Sequence, residues 1–189
     1  MWNCLPAPYS SKERKEKFSV FLFTTWNIEI YLQPKFNFER TKLTMEKLLN
    51  STIRVRFQDC DPYNHLNNAK YLDYFINTRE DQIKDHYKLD IFEIMQRDKK
   101  GWVVGSNQIA YFSPAFTMET VQIQSSVFHF SEKSLSVEMT MLNESRTQLK
   151  AIYWVKFIHV DLAKQTSTAH SPELMRLFED VVLPIPQRI

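Results

Sequence analysis

Glycine is nearly absent from this chain: Gly101 and Gly105 are the only two among 189 residues. Without a glycine-rich turn the backbone cannot close around a phosphate, so a Rossmann or P-loop nucleotide site is excluded. Cysteine is equally scarce. Cys4 and Cys60 lie far apart in segments of different character, which argues against a disulfide framework and fits a reducing, cytoplasmic setting. Long apolar runs are lacking too. The run Phe18 to Phe23 gives way to the polar Thr24, Thr25, Asn27 and Glu29, with no small-residue cleavage pattern, so it suits neither a secretion signal nor a bilayer span. No charge of either sign dominates: 24 Lys and Arg face 22 Asp and Glu, and residues 45–189 alone hold seventeen against eighteen. A nearly neutral body offers no concentrated basic face for nucleic acid. His86, His129, His159 and His170 stand at no metal-like spacing, and HExxH and CxxC are missing, so no metal is expected.

What the chain does have is 43% apolar residues, 14% of the total being aromatic, enough for one compact domain with an adequate core. Residues 1–44 read as an N-terminal extension outside that domain, with Pro6, Pro8 and a charged run from Ser10 to Lys17. The domain itself is assigned to 45–189, starting at Met45.

The segment Thr52 to Gln58 alternates Ile53, Val55 and Phe57 with Arg54, Arg56 and Gln58, the period of a half-buried strand. That strand delivers Asp59 and Asp61. Pro62 lacks an amide hydrogen and keeps the preceding residue extended, so the chain leaves the sheet near Asp61. Asn64, Asn67 and Asn68 then supply turn and cap chemistry, with Asn67 as the expected cap. Ala69, Leu72, Phe75 and Ile76 recur at helical spacing, with Tyr71, Tyr74 and Thr78 on an adjoining face; Tyr71, Tyr74 and Phe75 read as helix core. Cys60, between the two aspartates, faces away from them by alternation and reads as a packing residue.

A helix start carries amide hydrogens without partners inside the helix and the positive end of the peptide dipoles. It can therefore stabilise an oxygen that gains negative charge. A carboxylate facing such a start suits hydrolysis of an activated carbonyl, attacking it directly or activating water. Asp61 is the expected catalytic residue, while Asp59 reads as pairing with Arg54, Arg56 or a turn amide.

Further along, Asp90 with Glu93 makes a capping box for a short helix, Ile91 to Gln96. Four strand-like runs follow: Trp102–Phe112, Thr120–Phe130, Leu135–Leu142 and Thr147–Val160. The second of them buries Val121, Ile123, Ser125 and Val127 on one face, and the third Leu135, Val137, Met139 and Met141. Ser171 caps a last helix with Pro172 at its first position.

The run DCDPYNHLNNAKYLDYF resembles the signature of hotdog-fold acyl-CoA thioesterases of the 4-hydroxybenzoyl-CoA thioesterase type. The order of elements over residues 52 to 160 agrees with it. This resemblance implies an α+β hotdog fold, a curled antiparallel sheet of about five strands wrapped around a long central helix. It implies catalysis by the second carboxylate of the DxD pair, Asp61, and an oxyanion donor at the helix start, on or near Asn68. His65 is a secondary catalytic candidate, with bracing of neighbouring loops as its structural alternative; Asn67 and Tyr71 are candidates for substrate contact. No cofactor is expected beyond coenzyme A as part of the substrate, which is an acyl-CoA or an acyl-carrier-protein thioester. Arg97, Lys99 and Lys100 read as a solvated turn, with contact to the coenzyme's phosphates as the alternative. The family also implies a homodimer or dimer of dimers, and neither nucleic acid nor membrane as a partner. The same run is similar to acyl-ACP thioesterases, although Tyr63 stands where they place an Asn. A hotdog hydratase or dehydratase and a non-catalytic acyl-CoA-binding protein are the other readings. Many relatives carry Gly where this chain has Asn64, a residue that tolerates left-handed backbone.

Overall fold

The computed structural model describes residues 45–185; the extension assigned to 1–44, with Cys4 and the charged run, lies outside them. Five long antiparallel strands form one sheet: β1 (Leu49–Arg54), β2 (Lys100–Tyr111), β3 (Thr120–Phe130), β4 (Ser134–Asn143) and β5 (Leu149–Asp161), in the spatial order β1-β3-β4-β5-β2. A two-residue strand, β6 (Thr166–Ser167), pairs with the end of β5. The sheet curls around the 20-residue helix α1 (Asn68–Tyr87). Two shorter helices, α2 (Ile91–Asp98) and α3 (Pro172–Val181), flank it. Among the described residues no helix is long and apolar enough to cross a membrane.

Strand alternation decides which face of the sheet meets the helix. Val121, Ile123, Ser125 and Val127 of β3 are buried, as are Leu135, Val137, Met139 and Met141 of β4 and Ala151, Tyr153 and Val155 of β5. These are the faces the alternation in β3 and β4 predicts. Full burial of one such aliphatic or aromatic side chain contributes about 1.5–3 kcal/mol. Phe75 of α1 stacks on Tyr153 with ring centroids 5.5 Å apart, joining helix to sheet. In β2 the register shifts between Val104 and Ser106. A Cβ on the intervening Gly105 would come within 2.8 Å of Ile158, so glycine is needed for that close approach.

One expectation is corrected here. The first strand ends at Arg54, not Gln58, and Phe57–Asp59 forms a single 3₁₀ turn with Phe57 78% exposed. Arg54 pairs with Thr120, the first residue of β3, and past it only Val55 continues the contact, donating to the Glu119 carbonyl and accepting the Met118 amide. Beyond it, the Arg56 amide donates to the Tyr74 hydroxyl instead of to a strand.

On α1, Tyr71, Tyr74 and Phe75 belong to the core as expected. Ala69 and Leu72 are exposed, and the buried face carries Tyr71, Tyr74, Phe75, Thr78, Arg79, Gln82 and Tyr87. Polar residues on this face have partners in the sheet: Arg79 Nη1 donates to Ser125 Oγ, Ser125 Oγ to Gln82 Oε1, and Gln82 Nε2 to Ser51 Oγ and the Ile123 carbonyl. Because they are hydrogen-bonded, the neutral groups Gln82, Ser125 and Ser51 are covered at modest cost.

The helix ends follow the cap residues. Asn67 Oδ1 accepts the Ala69 amide, Asp90 Oδ1 those of Phe92 and Glu93, and Ser171 Oγ that of Leu174. α2 runs two residues past the expected Gln96, to Asp98, and closes on Lys99 in left-handed conformation.

Candidate active site

Between the 3₁₀ turn and α1 the chain folds into a small hairpin. The Asn67 amide donates to the Asp59 carbonyl at 2.9 Å, Cys60 bridges Leu66, and the Asp61 amide donates to the His65 carbonyl at 2.7 Å. Asn64 closes the turn at φ 66°, the left-handed backbone that its amide side chain tolerates. Asp61 Oδ1 accepts the amides of Tyr63 and His65 at 2.9 and 3.0 Å, so half of this carboxylate braces its own turn. Oδ2 accepts no hydrogen bond among the described residues. Asp61 and Asn67 stand two residues apart along the ladder, about 7 Å at strand spacing.

Asn68 occupies the first position of α1, is exposed, and its amide makes no hydrogen bond among the described residues. Its carbonyl accepts the Tyr111 hydroxyl at 3.0 Å, which ties the end of β2 to the helix start. Asp59 is engaged differently from the three expected pairings: its Oδ2 accepts the Tyr74 hydroxyl at 2.8 Å. Burial, with Asp59 as a further cause, pushes Tyr74 up to about 12, so this phenol stays protonated and keeps donating. Tyr74 thus joins the 3₁₀ turn to α1, a role the sequence offered no sign of beyond its place on the helix.

His65 lies against the loop between β2 and β3. Its backbone bridges Phe116, and its ring meets that of Phe116 edge-on at 5.1 Å. The same loop receives the Leu66 amide on Ala115 and sends the Thr117 amide to Asn64 and the Met118 amide to Val55. Tyr71 is buried, and its hydroxyl accepts the Ala115 amide at 3.1 Å. Lys150 of β5 holds this loop from below: Nζ lies 2.8 Å from the Pro114 carbonyl and 2.8 Å from Glu119 Oε1. Nothing in the spacing of β5 marks Lys150 as buried. Cys60 is a half-buried free thiol whose Sγ donates to the Arg56 carbonyl. Among the basic trio, Arg97 pairs with its neighbour Asp98 at 2.8 Å.

A cavity of about 380 Å³ opens between the second half of α1, the sheet, α2 and α3, within the usual size range of small-molecule sites. Its wall is almost wholly apolar, from Ile76 and Ile83 on the helix to Val137 and Val155 on the sheet, with Phe92 and Met95 of α2 at its margin. Asp61, His65, Asn67, Asn68 and Tyr71 do not line it. The hairpin gathers the polar candidates at one end of α1, and the cavity follows the other end. Among the described residues no group of three or more His, Cys, Asp or Glu is placed to hold a metal ion.

Trp102, on the cavity wall, leads to a stack of imidazoles. His159 and His170 lie 4.7 Å apart, and Trp102 Nε1 donates to His170 Nε2 at 3.2 Å. The Nδ1 atoms face carbonyls, Ser131 for His170 and Thr168 and Ala169 for His159. Each ring is therefore satisfied in its neutral form. Burial pushes both below the ordinary 6.5, with the neighbouring His159 adding to the effect on His170. Groups depressed in this way take up protons more readily once unfolded. The stability they support is present above 6.5 and is lost as pH falls below it. The urea midpoint is expected to drop from about pH 7 to about pH 5, and His159→Asn to flatten that slope. An unchanged slope in the variant would remove the pair from the acid response.

Comparison with known proteins adds what geometry cannot. The family described as the thioesterase-like superfamily matches residues 55–180. The chain is 28% identical over 134 residues to the long-chain acyl-CoA thioesterase FadM of Escherichia coli strain K12, covering 71% of this chain and 99% of that one. Among solved structures, the probable thioesterase YbaW from Escherichia coli superposes with a TM-score of 0.62 at 28% identity, over 71% of this chain and 99% of the other. A hypothetical protein from Staphylococcus aureus in complex with CoA superposes with a TM-score of 0.65 at 16% identity, over 75% of this chain and 89% of that chain. The curled antiparallel sheet is the one these hotdog-fold structures share.

Proposed function

Since this chain belongs to the thioesterase-like superfamily and is a thioester hydrolase, we propose that its substrate is an acyl-CoA, cleaved at the hairpin and helix start. The acyl carbonyl oxygen lies at the Asn68 amide, where an unpaired N–H and the helix dipole stabilise the charge that develops on it. Asp61 Oδ2 supplies the carboxylate, either attacking the carbonyl carbon or taking a proton from water that attacks it. The C–S bond breaks, the thiolate of coenzyme A leaves and takes up a proton, and the free carboxylic acid is released. In the direct route water then cleaves the mixed anhydride on Asp61, so both routes consume one water.

The observation carrying this reading is an open amide at Asn68, the first residue of α1, next to the cap Asn67, which stands two ladder positions from the Asp61 carboxylate. The kinship with an acyl-CoA thioesterase over 134 residues supports the coenzyme A ester as substrate, and the apolar cavity suits an acyl tail. A thiol-release assay over aromatic, short, medium and long acyl-CoAs, with one acyl-carrier-protein ester, tests it. Turnover of at least one acyl-CoA is expected. Release from the carrier-protein ester alone would move the substrate class, and binding without any release would make the chain an acyl-CoA binder.

The working unit is a homodimer, or a dimer of dimers. β2 pairs only with β5 among the described strands, and Val103 and Val104 at this edge are each 46% exposed. An apolar open edge is commonly covered by a second copy. Light scattering is expected to give a mass at least twice that of one chain, and a fully active monomer would contradict it.

A further inference from the structure

The apolar cavity has one charged group on its wall with no counter-charge. Arg79 of α1 is 8% exposed and lines the cavity. Its Nη1 donates to Ser125 Oγ at 3.0 Å, and its guanidinium lies 5.6 Å from the centre of the Tyr87 ring. Among the described residues no carboxylate comes within ion-pair distance of it. Arginine stays protonated in proteins, and its partners here, the Ser125 hydroxyl and the Tyr87 side chain, are neutral and leave the charge itself unanswered. Buried charges are as a rule paired, so an unpaired one on a cavity wall marks a place for an anion from outside the chain. Tyr153 repeats the pattern on the opposite wall. It is 1% exposed, lines the same cavity, and its hydroxyl forms no hydrogen bond although Asn107 is nearby.

From this arrangement we infer that the cavity selects an acyl chain carrying a carboxylate at the end away from the thioester, with Arg79 as the residue that reads it. The inference rests on the acyl-thioester reading and adds the substrate class to it. Distance supports the match. Asn68 and Arg79 are eleven positions apart on one helix, about 16 Å at the α-helical rise. A chain held by its carbonyl at Asn68 and laid along α1 therefore brings its far end to the guanidinium. The cavity's own wall, from Ile76 onward, is mostly apolar and suits methylenes. Glu80 also borders the cavity but does not pair with its neighbour. A dicarboxylic acid esterified at one end combines these features; an unsubstituted fatty acyl chain leaves the cation unanswered.

The test compares, on the full chain, unsubstituted acyl-CoAs with ω-carboxy and ω-hydroxy acyl-CoAs of equal length. At the matching length kcat/KM is expected to favour the ω-carboxy ester over the unsubstituted one by roughly 10- to 100-fold, the range of a hydrogen bond to a charged group. The ω-hydroxy ester falls between, which separates charge from hydrogen bonding alone. Arg79→Met is expected to reverse the order. Calorimetry with free α,ω-dicarboxylates against monocarboxylates of equal length reads the same preference in the wild-type chain without turnover and without a variant that must fold. Tighter binding of the dicarboxylates supports the inference. Equal or weaker binding, together with preference for unsubstituted esters at every length, overturns it while leaving the thioesterase reading intact. Absence of thiol release from every ester would instead defeat that reading, and calorimetry would then decide the inference alone.

Discussion

Asp61→Asn is expected to fold like the parent and to hydrolyse its best acyl-CoA more slowly by at least the ~100- to 1,000-fold typical of losing one oxyanion donor. Asparagine keeps an oxygen at the Oδ1 position, so the amides of Tyr63 and His65, which Asp61 accepts at 2.9 and 3.0 Å, retain their acceptor and the turn survives. What the amide cannot do is attack as an anion or accept a proton from water. The variant therefore separates the structural half of the side chain from the chemical half. Asp61→Ala removes both and is expected to loosen the hairpin as well, so its loss of rate would carry less information. Thiol release measured beside an unfolding curve distinguishes the cases. Wild-type turnover in Asp61→Asn would take this carboxylate out of the mechanism and leave the reaction to some other group.

Lys150→Met is expected to cost about 3–5 kcal/mol of unfolding free energy, the usual result of removing one partner from a buried ion pair. The ammonium is 2% exposed and Glu119 is 21% exposed, so the carboxylate left behind is only partly rescued by water. Lys150 also holds the Pro114 carbonyl, and the loop it anchors receives Leu66, contacts His65 and supplies the amide that Tyr71 accepts. Loss of the anchor should therefore loosen the hairpin that bears Asp61. Glu119→Gln introduced beside Lys150→Met removes the stranded charge, and recovery of part of the loss identifies the ion pair as its source. Urea unfolding of the single and double variants makes the measurement. A single-variant loss below about 1 kcal/mol, the range of exposed pairs, would show the bridge to be ornamental.

These two residues differ in how visible they were beforehand. Asp61 stands in a short run where proline, three asparagines and a helical period follow one another, and local chemistry of that kind is readable because neighbours in sequence determine it. Lys150 stands in a strand whose other lysine, Lys156, is exposed, and its partner lies 31 residues away. Arg79 and Gln82 were hidden for a related reason: charged and amide side chains normally mark the wet side of a helix, and here the sheet supplies Ser125, Ser51 and a carbonyl to receive them. Phe57 continued the alternation of β1 in sequence while having no strand to lie beside.

By itself the sequence determined what short-range physics controls: the caps at Asn67, Asp90 and Ser171, the left-handed turn at Asn64, the inward faces of β3 and β4, and the neighbourhood of Asp61 and the helix start. Tertiary structure alone decided how far β1 runs, that Arg79 and Gln82 join the buried face of α1, that Tyr74 holds Asp59, and that a buried guanidinium lines a mostly apolar cavity. Caps and alternation depend on residues within a few positions of each other. Ladder length, helix rotation and the company a buried charge keeps depend on groups brought together from distant parts of the chain.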